Sequence, residues 1–86
     1  MNISQLIISV KSKIENNFQI QDIDIEDKTF LHKSHKSHKG GKFHIKLIIK
    51  SNELNNTTKI DSTKRIYKIL EYELKNYIHS IQILIK

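Results

Sequence analysis

Eighty-six residues allow one small domain, and at this size folding buries only roughly 60–65% of the surface that the unfolded chain exposes. Lys and Arg number 15 against 9 Asp and Glu, and the resulting charge of +6 favours a soluble chain drawn to acidic partners. With no cysteine the chain can form no disulfide and supply no thiolate ligand, and no apolar run approaches the ~20 residues of a membrane span.

Residues 2–17 are expected to form an amphipathic helix. Leu6, Ile7, Val10 and Ile14 mark one apolar face, Ile3 extends it, and Asn2 or Ser4 can cap it. Asn16 and Asn17 end the pattern. A first strand is expected at about 19–26, where Ile23 and Ile25 alternate with Asp22, Asp24 and Glu26. Asp27 to Lys42 reads as a connection of roughly fifteen residues, long enough to suggest function. It carries His32, His35 and His38 among lysines and ends at Gly40-Gly41, which frees the backbone for a turn into the next strand. In that second strand Phe43, Ile45, Leu47 and Ile49 are expected on one face, with His44, Lys46 and Lys50 on the other.

A helical turn is expected around Leu54, then a second long helix at about 62–77 capped by Asp61 or Ser62. Its apolar set is Ile66, Ile69, Leu70, Leu74 and Tyr77. A last strand at 79–85 places Ile81, Ile83 and Ile85 on one face, and His79 has their parity. The order helix, strand, strand, short helix, helix, strand predicts an α+β two-layer domain with a three-stranded mixed sheet. The helical connection before the last strand favours parallel pairing with the second. No boundary divides the chain, so residues 1–86 are read as one domain. The start of the sequence lacks the basic, apolar and small-residue pattern of a signal peptide. The expected location is the cytoplasm, and the expected state of the isolated chain is a monomer.

His32, His35 and His38 could offer imidazoles to a divalent ion, although their spacing fits a solvated basic loop equally well. Taken by itself, His79 is a strand-entry residue of the kind that more often makes a structural hydrogen bond than binds metal. No nucleophile, base and oxyanion donor can be named together, so the chain is not read as an enzyme. Lysines along the loop and second strand, including Lys46, and a helical group of Lys64, Arg65 and Lys68 could bind phosphates without reading sequence. No aromatic platform for base stacking stands out beside them.

Four segments together resemble the BolA family. Glu26 to His35 looks like its acidic segment followed by a hydroxyl residue and two spaced histidines. Phe43 to Ser51 looks like its second strand, Arg65 to Leu74 like its long helix, and Ile78-His79-Ser80-Ile81 like its Ile-His-Ala-Leu signature. The chain departs from the family where Ser62, Thr63 and Lys64 stand in place of Arg-His-Arg, and where Lys42 precedes the strand in place of His. The resemblance implies a class II KH-like fold and an adaptor that pairs with a monothiol glutaredoxin and its glutathione to share a [2Fe–2S] cluster. It implies that His79 is one ligand and that His32, His35 or His38 is the other. Imidazoles can replace thiolates on one iron of such a cluster, which suits a chain without cysteine. Roles in cluster assembly, trafficking or iron regulation follow. The alternative implied by the family is a DNA-binding transcriptional regulator.

Overall fold

The structure is a computed structural model that describes residues 1–29 and 42–86. His32, His35, His38 and the Gly40-Gly41 turn lie outside the described residues. Helix α1 spans Ile3–Asn17 and buries Leu6, Val10 and Ile14, which recur every fourth residue along one stripe. Asn2 is its cap. The Asn2 side chain accepts from the Gln5 backbone N–H at 2.9 Å, and the Gln5 side chain accepts in return from the Asn2 N–H at 3.0 Å. After α1, Phe18 turns into the core.

Strand β1 is Asp22–Asp27, shorter at its start than the expected 19–26. The Gln19 backbone and the Gln21 side chain are engaged elsewhere, while the Gln21 N–H still donates to the Lys50 carbonyl of β2 at 2.9 Å. The Gln19 N–H donates to Glu53 Oε1, the Gln19 carbonyl accepts from Ser51 Oγ at 2.7 Å, and the Gln21 side chain accepts from the Asn52 N–H. Strand β2, Phe43–Lys50, lies in the middle of the sheet. β1 pairs with it antiparallel, Ile25 opposite Leu47, and β3, Ile78–Ile85, pairs with it parallel, Ile45 opposite Ile81. Ile45, Leu47 and Ile49 are buried with Leu6, Val10 and Ile14 of α1. The expected register therefore holds on the core side, while Phe43, Ile81, Ile83 and Leu74 pack at its margin.

Helix α2 is a single turn, Asn52–Asn55, capped by the fully buried Ser51. The expected second helix is two helices. α3 runs Lys59–Ile69 and α4 runs Glu71–Asn76, with Leu70 between them at φ −94°, ψ 13°. α3 begins three residues before the expected start, because Thr58, rather than Asp61 or Ser62, caps it through a bond from the Asp61 N–H. Ser62 instead lies buried one turn in, where its hydroxyl donates to the Leu54 carbonyl at 2.6 Å and so joins α3 to α2. The bend keeps Ile66 and Leu70 fully buried and presents Glu73 to α1. The architecture is α+β, a mixed three-stranded sheet under a helical layer, as the element order implied. Among the described residues no helix is long and apolar enough to cross a membrane.

Glu73 is the charged residue inside this layer, at 1% exposure. Lys13 of α1 reaches both its carboxylate oxygens at 2.7 and 2.8 Å, and the Ser9 hydroxyl donates to it at 2.9 Å. Burial pushes the carboxyl up, but the bonds from Lys13 and Ser9 more than offset this and hold it below its ordinary value. A carboxyl lowered by folding stabilises the native state above its unfolded value near 4.5, and the contribution is lost as pH falls through the folded value.

Two outcomes are expected from this packing. Leu70→Ala removes a fully buried side chain at the bend and should cost roughly 2–5 kcal/mol in urea unfolding. Lys13→Met should cost about 2–3 kcal/mol at pH 7, less than the roughly 3–5 of a fully buried pair because the lysine is partly solvated. That deficit should shrink as pH falls below the carboxylate range, since a protonated Glu73 needs no counter-charge. A deficit that stays constant with pH would show that the pair is not its source.

Candidate metal-binding end of the sheet

The site begins with a spacing in β3. Ile78 is buried and Ile81 packs against the core, yet they are three residues apart, and strict alternation would send them to opposite faces. The pairing resolves the conflict with a β-bulge. Phe43 is opposite Ile78 and His44 is opposite Ser80, so β3 advances two residues while β2 advances one. His79 is the extra residue, and it is exposed. The expected parity of His79 with Ile81, Ile83 and Ile85 is therefore broken by the bulge.

His44 stands beside it. The two imidazole rings have centroids 4.9 Å apart and planes tilted by 56°. His44 lies on the face away from the helices, where sequence parity put it, but it is buried at 6% exposure instead of solvated. Its Nδ1 is 2.5 Å from Ser80 Oγ, its backbone N–H donates to Thr29 Oγ1 at 3.1 Å, and its carbonyl accepts from the Lys28 N–H at 2.7 Å. The Thr29 N–H in turn donates to Asp27 Oδ1 at 2.9 Å. The chain leaving β1 is thus pinned to the histidine that opens β2. Alongside lies a recess of about 210 Å³ lined by Lys28, His44, Lys46, Ser80 and Gln82.

Of the four histidines expected to bind metal, His79 is at this end of the sheet, and His32, His35 and His38 lie outside the described residues. His44 and Ser80 were missed as site residues. The available signal was the three-residue step from Ile78 to Ile81, which an unbroken strand cannot accommodate. Among the described residues there is no cluster of three or more His, Cys, Asp or Glu, so the described part of the site is an imidazole pair.

Among the described residues the basic side chains do not converge as a group. Lys64 and Lys68 are exposed one turn apart on α3, with Tyr67 and Ile60 exposed along the same helix. Arg65 is committed to the fold: its Nη2 donates to Glu53 Oε2 at 2.9 Å, and its guanidinium lies 4.9 Å from the Phe18 ring centre. The Gln19 N–H and Arg65 together hold the Glu53 carboxyl below its ordinary value. Lys46 is on the opposite side of the sheet from the helices, across the ladder from Glu26. Lys59 and Lys75 flank the α3–α4 surface instead, beside grooves lined by Ile60, Tyr67 and Leu74.

Comparison with known proteins agrees with this fold. Residues 14–86 match the family model described as BolA-like protein. The DNA-binding transcriptional regulator BolA of Haemophilus influenzae is 35% identical over 81 residues, covering 94% of this chain and 73% of that protein. Among solved structures, the BolA domain of SufE1 from Arabidopsis thaliana superposes with a TM-score of 0.78 at 23% identity, over 100% of this chain and 93% of that one. BolA1 from Arabidopsis thaliana gives 0.77 at 21% identity, over 100% and 92%. The match across most of the length, together with the shared fold, means that this chain belongs to the BolA family.

Proposed function

We propose that the protein is an adaptor that binds a monothiol glutaredoxin and shares a [2Fe–2S] cluster with it, in cluster assembly, trafficking or iron regulation. The observation that carries the reading is the bulge that turns the His79 imidazole outward at the end of the sheet. The donor set fits the group. A chain without thiols can contribute only through nitrogen, and two imidazoles can serve one iron. His79 would hold one position, with the second imidazole from His32, His35 or His38. The partner's cysteine and glutathione would complete the set. When bound, the cluster supplies a reducible, exchangeable iron centre. This chain's own work is to fix His79 on a rigid strand and to leave it open to a docking surface.

A second reading, a DNA-binding transcriptional regulator, draws on the Haemophilus relative's name and on the exposed Lys64 and Lys68. It needs a narrower basic set than Lys64, Arg65, Lys68 and Lys46. Arg65 is paired, and Lys46 is on the other side of the sheet.

Anaerobic reconstitution with a monothiol glutaredoxin and glutathione, followed by visible absorption and circular dichroism, tests the first reading. The His79→Ala variant should lose the mixed-cluster spectrum and keep its far-UV signal. An unchanged spectrum would return His79 to a structural role. For the second, double-stranded DNA binding should weaken steeply with salt, and replacing Lys64 and Lys68 with Ala should lower the slope of log K against log salt by up to about 2. A slope indifferent to both removes the basis for that reading.

A further inference from the structure

We propose that the outer face of α3 and α4 docks an acidic amphipathic helix of another protein, in two grooves that share Tyr67. The first observation is a second apolar stripe. α3 and the bend after it commit Ile66 and Leu70 to the core, where both are fully buried. Ile60 and Tyr67 lie outside that set, at 69% and 44% exposure, and take no part in the core. Leu74, half-buried at the margin of the core, continues their line onto α4.

The second observation is spacing. Ile60, Tyr67 and Leu74 recur every seventh residue, a span of about 20 Å at helical rise. A seven-residue apolar repeat forms a seam that a helix with the same repeat can follow in register. The surface along that seam is concave. One groove, of about 360 Å³, is lined by Ile60, Thr63 and Tyr67 with Lys59 and Lys64. The other, of about 720 Å³, straddles the bend at Leu70 and is lined by Tyr67 and Leu74 with Lys68, Glu71 and Lys75. Apolar grooves along a helix pair are the shape into which an amphipathic helix lays its anchors.

Charge selects the occupant. Among the described residues four lysines and one carboxylate line the two grooves, and Asp61 of α3 lines neither, so the complementary flanks are acidic. The lysines are interleaved with apolar groups along the helices instead of gathered into a patch. Duplex DNA carries a charge roughly every 1.7 Å and offers little to Ile60 or Leu74, so a protein helix with spaced Asp or Glu is the better match. A second copy of this chain would set lysine against lysine, and an anionic bilayer would press its headgroups against Glu71. The described residues of this surface all belong to α3 and α4, none to the sheet, and its test uses the chain without glutaredoxin or cluster.

The probe is a synthetic fluorescein-labelled peptide with leucine at the a and d positions of successive heptads and glutamate at the flanking e and g positions. Titration with the full chain should give saturable binding by anisotropy, with amide shifts on α3 and α4. Tyr67→Ala and Ile60→Ser, both at exposed positions and checked for folding by far-UV circular dichroism, should each weaken binding by at least about fivefold. Lys64→Gln with Lys68→Gln should weaken it and flatten its dependence on salt. The peptide with lysine in place of glutamate should not bind. Absence of saturable binding, binding indifferent to Tyr67→Ala and Ile60→Ser, or shifts confined to the sheet overturns the assignment. So does a dimer of the free chain that Tyr67→Ala dissolves. Tyr67-dependent binding of phosphatidylglycerol vesicles or duplex DNA that is tighter than that of the peptide overturns it as well.

Discussion

Strand β2 is bonded on both edges, and the other elements take their positions from it. Ile45, Leu47 and Ile49 commit one face to the helices, and a one-residue slip would drive Lys46 and Ile48 into their places. That penalty sets the register of β1 on one side and β3 on the other. The ends of the same strand organise the rest. Beyond its last residue, Ser51 caps α2 and ties back to Gln19, while at its entry His44 holds Thr29 and meets Ser80. The helical layer and the imidazole pair therefore occupy opposite faces of one strand, and a change that shifts its register disturbs both.

Electrostatics divides the surface in a way that the net charge conceals. β1 presents Asp22 and Asp24 outward, and α3 presents Lys64 and Lys68. Between these extremes several charges are already committed. Glu73 and Lys13 join α4 to α1, while Arg65, Glu53 and Phe18 join α3 to α2 and to the end of α1. Such pairs fix geometry more than they add stability, because desolvation consumes much of the attraction. Among the described residues, the positive charge that a polyanion can meet thus does not gather on one surface.

Periodicity made much of the fold legible. The fourfold spacing of Leu6, Val10 and Ile14 and the alternation of Ile45, Leu47 and Ile49 each report one buried face, and topology then favours a parallel third strand. What escaped depends on contacts between distant residues. Nothing local says that Gln19 bonds to α2 and its cap instead of extending β1, or that Glu73 belongs inside because Lys13 and Ser9 meet it there. His79 was conspicuous through its resemblance to a family segment. His44 was not, because alternation assigned it to solvent, and only pairing with β3 places Ser80 and the bulged residue over it.

The bulge also bears on how this chain avoids its own kind. β3 lies at an edge of the sheet, and from Ile78 to Ile85 it carries neither proline nor a carboxylate, lysine or arginine. A long, isoleucine-rich edge of this sort is a template for strands from other molecules, and proteins commonly blunt such edges with twist, bulges or charge. At His79 the ladder is interrupted and the strand's local twist increases, so the regular hydrogen-bonding edge begins only at Ser80. The irregularity that turns an imidazole outward thereby also shortens the surface on which an intermolecular sheet could start.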